Sequence, residues 1–256
     1  MNLAGKVVLI TGGRRVGSEL AKLLAGRGAS VALTYHTSRE AIERTVAEVE
    51  VEGLGVRALA VPADLSHADQ AQRAVARVVT ELGRLDVLVN MASVYKKTPF
   101  ATLTPADFDE MIAANLAAPY HAAVAAAKVM LGNPGEGGLK GKIVHMGDWA
   151  TDRPRKDYLP YMVAKGGLTT MTLALAKELA PHVTVNLVQP ATIDPPPDWS
   201  EADRATILAQ TPLGRIGTPD DANRLILYLL EGTDFATGGC YRVDGGRFLG
   251  MDGGET

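Results

Sequence analysis

Cysteine is nearly absent from this chain, and the features that usually accompany it are absent too. The one cysteine, Cys240, cannot form an intramolecular disulfide, and no Cys/His cluster has the spacing of a zinc site. No apolar run approaches the ~18 residues that span a bilayer. The chain leads at once into the apolar run Val7-Val8-Leu9-Ile10, so we expect no secretory signal. These absences predict a cytoplasmic protein with no metal site and no membrane partner.

A large excess of charge of either sign is lacking as well. The 256 residues carry a formal net charge of -3, and no basic face rises above the background, which argues against nucleic acid as a partner. With 46% hydrophobic residues, a chain of this length can bury the core of one α/β domain without disulfides or metals. The composition thus predicts a globular, catalytic domain whose partner is a small molecule.

Short β-branched runs alternate with longer amphipathic stretches, which is typical of βαβ units around a parallel sheet. We predict strands at 6–11, 30–35, 56–61, 86–90, 142–147, 183–188 and 240–243. We predict helices at 16–27, 39–53, 67–82, 105–131, 158–180 and 219–230. Ser66 and Thr104 precede two of these helices and are expected to be N-caps. The fold class is α/β, a doubly wound sheet with helices on both faces.

The stretch 189–218 is irregular, although it contains Pro195-Pro196-Pro197 and a short helix-like piece from about Glu201 to Gln210. Ligands of such sheets bind at the carboxyl ends of the strands. A loop at that edge is a candidate lid, so we predict a substrate lid near 191–214.

The first predicted strand ends in a glycine-rich turn that leads into a helix, and this stretch, 11–17, reads TGGRRVG. In such a turn, backbone N–H groups and the positive end of the helix dipole can face a pyrophosphate. A glycine-rich turn at this place is about as often a simple connection between strand and helix as a phosphate-binding turn. The second strand ends at Tyr35-His36-Thr37-Ser38 without an acid. An acid there would bind the 2′-hydroxyl of NAD, so its absence favours NADP(H), with Arg14, His36 and Ser38 near the 2′-phosphate. Taken singly, His36 is more simply a solvated loop residue.

Two further strand ends fit a bound dinucleotide. Asp64 and Leu65 follow the third strand, where the Asp can accept a hydrogen bond from the adenine amine. Asn90, Ala92 and Ser93 follow the fourth, where small residues allow a ribose to approach the backbone. Each of these residues, taken singly, could belong to an ordinary turn or helix cap. Their occurrence at the ends of successive strands favours a dinucleotide site.

A tyrosine and a lysine, Tyr161 and Lys165, lie four positions apart and therefore on one face of a helix. Such a pair is common by chance. Asp148, however, stands thirteen residues upstream at the end of the fifth strand. These groups can place a carboxylate, a phenol and an ammonium around one substrate atom.

Together these motifs resemble the short-chain dehydrogenase/reductase superfamily over essentially the full length. The motifs are Thr11-Gly12, Asn90-x-Ala92-Ser93, Asn115, Tyr161-x-x-x-Lys165 and Asn186…Pro190. The resemblance implies a single Rossmann domain over 1–256 with about seven parallel strands in the order 3-2-1-4-5-6-7. Three departures from the family pattern are a glycine turn one residue shorter than usual, Met91, and Ala191 after Pro190.

Asp148 stands where most members have Ser, and Arg15 where most have Gly. With Tyr35-His36-x-Ser38 and the ending Val243-Asp244-Gly245-Gly246-Arg247, these residues look like the pteridine reductase and dihydromonapterin reductase branch.

The resemblance also implies roles for individual residues. Hydride would come from the nicotinamide C4, and Tyr161 would supply the proton, its pKa lowered by Lys165 and the oxidised nicotinamide. Lys165 would also bind the nicotinamide ribose, and Asn115 would hold a water beside it. Asp148 would accept hydrogen bonds from a pterin or, when protonated, help Tyr161 donate to a ring nitrogen. The expected NADP contacts are Gly12, Arg14, Arg15, Val16, Tyr35, His36, Ser38, Asp64, Leu65, Asn90, Ala92, Ser93, Tyr161, Lys165, Pro190 and Ile193.

Substrate contacts are expected from Arg15, Ser93, Tyr95, Asp148, Tyr161 and Trp199. Tyr95 would stack on a flat heterocycle and Trp199 would form a second wall, although an exposed loop tyrosine and simple lid packing account for them equally well. Arg15 would reach the cofactor phosphates and a pterin carbonyl, or the phosphates alone. Asp148 could also have a purely structural role, in which it caps the following loop or forms an ion pair with Arg153 or Arg155.

The leading functional hypothesis is an NADPH-dependent reductase of a pteridine-like (dihydropterin or dihydrofolate) heterocycle. The alternative is an NADPH-dependent carbonyl or 3-oxoacyl reductase of the same superfamily. A third reading, from another class, is a non-catalytic NADP-sensing binding protein, which only the shortened glycine turn supports. Helices 105–131 and 158–180 would pair across subunits into a homodimer or homotetramer.

Overall fold

The computed structural model describes residues 1–12, 14–52, 55–193, 195 and 199–250. Gly13 of the glycine turn, Gly53 at the predicted end of the second helix, residues 194 and 196–198 of the predicted lid, and 251–256 lie outside the described residues.

Seven strands form a sheet in which every neighbouring pair is parallel, in the order β3-β2-β1-β4-β5-β6-β7. The strands are β1 Val7–Thr11, β2 Ser30–Tyr35, β3 Ala58–Pro62, β4 Val87–Asn90, β5 Gly141–Met146, β6 Val183–Pro190 and β7 Cys240–Val243. The predicted strand order is confirmed, and the predicted strands match these bounds closely. Because all strands run the same way, their carboxyl ends lie at one edge of the sheet.

Eight α-helices lie in the described part of the chain. They are α1 Val16–Ala25, α2 Arg39–Glu52, α3 Ala68–Leu82, α4 Pro105–Ile112, α5 Ala118–Met130, α6 Leu159–Leu179, α7 Glu201–Ala209 and α8 Pro219–Leu227. The predicted helix 105–131 is α4 and α5 joined by a π-helical turn, Ala113–Ala117. This wider turn carries Asn115, and π-turns inside helices are frequent at functional sites. None of the described helices is long and apolar enough to cross a membrane.

The sheet is buried on both faces, which explains why its central strands are apolar without alternation. In β1, Val7 and Leu9 pack into the cluster that includes α3 and α5. Val8 and Ile10 point the other way, into the cluster that includes α1 and α8. All four are at most 3% exposed. The helices therefore cover both faces and leave the strand ends as the place where polar groups can collect.

One predicted helix cap is confirmed and one is wrong. Thr104 caps α4 through a capping box with Asp107. Ser66 does not cap α3, which begins at Ala68 after His67. The Ser66 N–H and hydroxyl instead donate to the Asp64 carboxylate, at 3.0 and 2.7 Å. A charged acceptor two residues away is the stronger partner for that hydroxyl.

The ends of β1 and β4 touch at Gly12. Its φ of 67° is left-handed, and a Cβ at this position would lie 2.5 Å from the Ala92 Cα. Glycine is required here both by the backbone conformation and by the close approach of the neighbouring chain.

Replacing Gly12 by Ala tests this contact, with Gly5→Ala as the matched control. Gly5 has a similar φ of 72° but nothing within 4 Å of a built Cβ. Both variants carry the left-handed strain, and only Gly12→Ala adds a clash with backbone. We expect urea unfolding to show at least about 1 kcal/mol greater loss of stability for Gly12→Ala than for Gly5→Ala. Equal losses would contradict the close approach.

Candidate active site

The ends of β1 and β4 are joined by a hydrogen-bonded pair, Thr11 and Asn90. The Thr11 hydroxyl donates to Asn90 Oδ1 at 3.2 Å and accepts from the Met91 N–H at 3.2 Å. The Asn90 amide nitrogen also lies 3.3 Å from the Pro119 carbonyl and 3.1 Å from His145 Nδ1. Asn90 is buried, so its side chain braces the strand end from which Ala92 and Ser93 extend.

Asn115 fastens the loop after β4 to the π-helical turn. Its Oδ1 accepts from the Ser93 hydroxyl at 2.7 Å and from the Val94 N–H at 3.2 Å. Its amide nitrogen donates to the Val94 carbonyl at 2.9 Å and to the Met111 carbonyl at 3.2 Å. The expected role of Asn115 in holding a water stays a prediction. The contacts described here give it a positioning role that sequence reasoning missed.

Asp148 connects the end of β5 with α6. The Tyr161 hydroxyl donates to Asp148 Oδ2 at 2.9 Å, while Asp148 Oδ1 accepts from the Ala150 N–H at 2.8 Å. The second bond caps the short 3-10 turn Trp149–Asp152. Asp148 therefore faces the candidate proton donor and caps the following loop at the same time. Within the described residues, neither Arg153 nor Arg155 forms an ion pair with it.

The electrostatics of Tyr161 differ from the sequence-based expectation. Burial raises the pKa of Tyr161 well above its usual range, and the negative charge of Asp148 adds to this rise. The prediction that the pKa of Tyr161 is lowered is therefore wrong for the protein without its cofactor, because desolvation and a nearby anion both disfavour phenolate. Tyr161 is therefore a neutral phenol that is only 4% exposed. It carries a proton that it can donate, although the raised pKa makes it a weaker acid than a free phenol.

Lys165 lies on the same face of α6, as predicted. Its ammonium donates to the Met146 carbonyl at 2.8 Å and lies 5.7 Å from the centre of the Tyr161 ring. Burial lowers the pKa of Lys165 to about 8, and the charge of Asp148 partly opposes that lowering. The Lys165 ammonium therefore places a positive charge next to the Tyr161 ring at neutral pH.

His145 is a neighbour that sequence reasoning missed. It lies on β5, fully buried, and contacts Asn90. Burial and the nearby charge of Lys165 lower the pKa of His145 to about 3, so it remains neutral. A histidine inside an apolar strand carries no sequence signal for this contact.

Tyr95 lies against two other tyrosines. Its ring stacks on Tyr158, with centroids 4.5 Å apart, and meets Tyr161 edge to face at 4.9 Å. Burial, with the hydrogen bond to Tyr158, raises the pKa of Tyr95 to about 12. Sequence reasoning missed Tyr158, which covers one face of the ring proposed to stack on a substrate. The Tyr95 side chain remains 48% exposed.

The remaining predicted cofactor residues follow the same sheet edge. Arg14, Arg15 and His36 are exposed, while Val16, Tyr35 and Ser38 are partly buried. Asp64 accepts the two bonds from Ser66, which lower its pKa, so part of its carboxylate is already occupied. Leu65 is buried, Pro190 ends β6, and Ile193 pairs with Gly217 in a short bridge. Trp199 is partly buried just before α7.

This edge fits a nicotinamide dinucleotide. Helix α1 follows the left-handed Gly12, and among the described residues no side chain caps its N-terminus, as is also the case for α3 and α6 but not for α4, α7 and α8. An uncapped helix N-terminus offers backbone donors and a positive dipole end to phosphates. Among the described residues, no group of three or more His, Cys, Asp or Glu side chains could hold a metal ion.

Comparison with known proteins agrees with this geometry. A family model described as enoyl-(acyl carrier protein) reductase matches residues 13–247. The chain is 34% identical to cyclohexanol dehydrogenase of Rhodococcus sp., covering 95% of this chain and 96% of that protein. It is 29% identical to the 3-oxoacyl-[acyl-carrier-protein] reductase of Staphylococcus aureus, covering 95% and 98%. A solved short-chain dehydrogenase/reductase from Serratia marcescens is 33% identical with a TM-score of 0.88, covering 97% and 100%.

The pKa of Lys165 predicts a pH dependence. Since burial disfavours its charged form, the ammonium is present below about pH 8 and is lost above it. We expect NADPH binding, followed by fluorescence titration, and kcat/KM for NADPH oxidation to fall above that pH. Lys165→Met should bind NADPH more weakly at every pH and should not show the decrease above about pH 8. Lys177→Met, on the last turn of α6, should still show that decrease. If Lys165→Met shows the same decrease above about pH 8 as the wild type, another group is responsible for the titration.

Proposed function

Because the chain belongs to the short-chain dehydrogenase/reductase superfamily, we propose that it is an NADPH-dependent reductase of carbonyl compounds, of the 3-oxoacyl reductase type. Relatives in this family are oxidoreductases, and the chain is an enzyme of that kind. The non-catalytic sensor gains no support from these relatives. The pteridine-type reductase was the leading hypothesis from sequence, but the family model and the 3-oxoacyl reductase relative favour its alternative.

The observation that carries the proposal is the buried neutral phenol of Tyr161 beside the ammonium of Lys165. When bound, the reduced cofactor supplies a hydride from its nicotinamide C4. Tyr161 donates its proton to the carbonyl oxygen, so that the hydride and this proton together convert C=O into CH–OH. Lys165 then stabilises the negative charge left on the Tyr161 oxygen. Gly12, Ala92 and the N-terminus of α1 would hold the dinucleotide.

Asp148 places a condition on this chemistry. In the described chain Tyr161 donates to Asp148, so a substrate oxygen must take over that hydrogen bond. An anionic Asp148 next to the carbonyl would oppose the negative charge that develops on its oxygen. A protonated Asp148 would instead donate to that oxygen, as the usual Ser does. Carbonyl reduction therefore requires Asp148 to gain a proton or turn away from the substrate.

A second candidate, reduction of a C=N bond in a pteridine-like heterocycle, is favoured by the same carboxylate. Asp148 Oδ2 is an acceptor at the reacting position, where an amino group or ring N–H would be a matching donor. Arg15, Ser93, Tyr95 and Trp199 would complete that pocket. Against it, Tyr158 already covers one face of Tyr95.

NADP(H) is proposed as the cofactor, since the end of β2 offers His36 and Ser38 in place of an acid. Assembly is proposed through α5 and α6, because the large apolar side chains of Tyr120, Leu159, Val163 and Leu173 on these helices are exposed. Those surfaces suit a homodimer or homotetramer.

The function is tested by NADPH oxidation with small ketones and 3-oxoacyl thioesters against dihydropterins and dihydrofolate. We expect higher kcat/KM on the carbonyl compounds and a loss of at least ~10²-fold in Tyr161→Phe, which keeps NADPH binding but has no proton to donate. Asp148→Ser should shift the ratio of kcat/KM values toward ketones by about tenfold or more, because Ser donates to an oxyanion. Preferred reduction of dihydropterins, lost in Asp148→Ser, would establish the second candidate.

Cofactor preference is tested by fluorescence titration with NADPH and NADH. We expect tighter binding of NADPH, and we expect His36→Asp to reduce or reverse the preference because a carboxylate repels the 2′-phosphate. His182→Asp, at the start of β6 and thus at the opposite edge of the sheet, introduces the same charge and should leave the preference unchanged. Equal or tighter binding of NADH by the wild-type protein would refute the NADP assignment.

A further inference from the structure

Two arginines lie beside one tryptophan next to the candidate proton donor. The guanidinium carbon of Arg247 lies 4.8 Å from the centre of the Trp149 ring, and that of Arg155 lies 5.4 Å from it. Trp149 directly follows Asp148 in the chain and is nearly buried. Arg155 belongs to the loop between β5 and α6, whereas Arg247 follows β7. The fold thus brings two positive charges from distant parts of the sequence to the same ring.

Arg247 is a buried cation with neutral partners. It is 5% exposed, and its two terminal nitrogens donate to the Thr192 hydroxyl at 3.1 Å and to Gln210 Oε1 at 2.9 Å. Its Nε has no partner in the described part of the chain. Burial, with the nearby charge of Arg155, lowers the pKa of Arg247 to about 10, so it remains charged at neutral pH. A buried guanidinium normally has an anion beside it.

Arg155, too, forms no ion pair with any residue in the described part of the chain. One of its terminal nitrogens contacts the Tyr95 hydroxyl at 3.2 Å. Among the residues that the structure describes, no carboxylate lies within 4.0 Å of Arg155 or Arg247. The acids nearby accept hydrogen bonds from other groups: Asp148 from Tyr161 and Ala150, and Asp244 from the N–H groups of Gly246 and Phe248. Their charges act on Arg247 from beyond ion-pair distance and partly oppose the lowering of its pKa.

Two neighbouring arginines each form an ion pair with an acid, and in this they differ from Arg247. A cavity of about 340 Å³ is lined by Arg215, Arg242 and Arg247, whereas Arg155 is not among its lining residues. Arg215 pairs with Asp221 at 2.7 Å and Arg242 with Asp152 at 2.8 Å. Of these three, Arg247 is the one without an acid within ion-pair distance in the described chain. The cavity has the size of a small-ligand pocket.

We propose that Arg155 and Arg247 receive an anionic group of the substrate, so that the enzyme reduces carbonyl compounds that also carry an acid. This inference rests on the proposed carbonyl reductase function. A guanidinium fork matches the oxygens of a carboxylate or a phosphate, and an anion bound beside these guanidinium groups would offset the repulsion between the two cations. The contacts from Arg155 to Tyr95 and from Tyr95 to Tyr161 place this receptor one side chain away from the proton donor.

A purely structural role is the competing explanation. Arg247 joins Thr192 to Gln210 and could serve only to fasten the lid, with both arginines packing on Trp149. In that case the two variants would change stability, or change activity equally for charged and neutral substrates. Matched substrates that differ only in charge separate the two explanations.

The test compares acetoacetate with methyl acetoacetate, and levulinate with methyl levulinate, as substrates for NADPH oxidation. We expect the wild-type enzyme to prefer each acid over its ester by about tenfold or more in kcat/KM. Arg155→Gln and Arg247→Gln should remove that preference while changing kcat/KM for the esters much less. The control Arg73→Gln, exposed on α3, should keep it. Dihydroxyacetone phosphate against dihydroxyacetone distinguishes a phosphate from a carboxylate.

Calorimetry with glutarate and its dimethyl ester, in the presence of NADP, separates this inference from the proposed function. Glutarate binding that is lost in Arg155→Gln supports the anion receptor even if no ketone is reduced. Reduction of ketones without preference for the acids, or no difference in glutarate binding between wild type and Arg155→Gln, overturns the receptor and leaves the reductase standing. Should Arg247→Gln fail to fold, the partly exposed Arg155 decides the result.

Discussion

Burial of the parallel sheet on both faces is the constraint on which the rest of this structure depends. Hydrophobic helices occupy the two faces, so the polar groups of the chain gather where the strands end, and parallel strands all end at the same edge. That edge must then be held together by specific contacts. The bond from Thr11 to Asn90 and the close approach of Gly12 to Ala92 join β1 to β4. Asn115 anchors the loop that follows, and Asp148 joins the end of β5 to α6.

At this edge one carboxylate influences two titrating groups. Burial alone favours neutral Tyr161 and neutral Lys165, because desolvation disfavours every charged form. The negative charge of Asp148 reinforces the effect on the phenol and opposes it on the ammonium. The phenol therefore keeps its proton while the lysine keeps much of its charge. The raised pKa also makes Tyr161 a weaker acid, so donation to a carbonyl oxygen is favoured once Asp148 gains a proton or turns away. A serine at this position would provide neither effect, so Asp148 is more than a substitute hydrogen-bonding group.

Local patterns in the sequence predicted the strand positions, the helix positions and the Tyr161, Lys165 and Asp148 constellation, since period, spacing and strand ends are local features. The order of the strands in the sheet was implied by the resemblance to the superfamily, because no local pattern specifies which strands are neighbours. The π-helical turn at Asn115 escaped prediction although Pro119, which has no backbone N–H to donate, lies two residues after the turn and is a local sign of an interruption in the helix. Ser66 was assigned as a cap because a competing acceptor, Asp64, was not considered. His145, Tyr158 and the pairing of Arg155 with Arg247 on Trp149 depend on contacts between distant segments. No local pattern carries that information.

The arginines also bear on how Asp148 can coexist with an acidic substrate. An acid group bound next to Asp148 would be repelled, and the carbonyl would then bind in the wrong orientation. Both arginines lie beside Trp149, the residue that directly follows Asp148 in the chain, and neither forms an ion pair with Asp148 among the described residues. A substrate acid held at the arginines is attracted there and kept away from Asp148, which leaves its carbonyl to face Tyr161. As long as Asp148 is anionic, attraction at the arginines and repulsion at Asp148 thus favour one binding orientation, and Asp148 then gains a proton or turns away before the carbonyl is reduced.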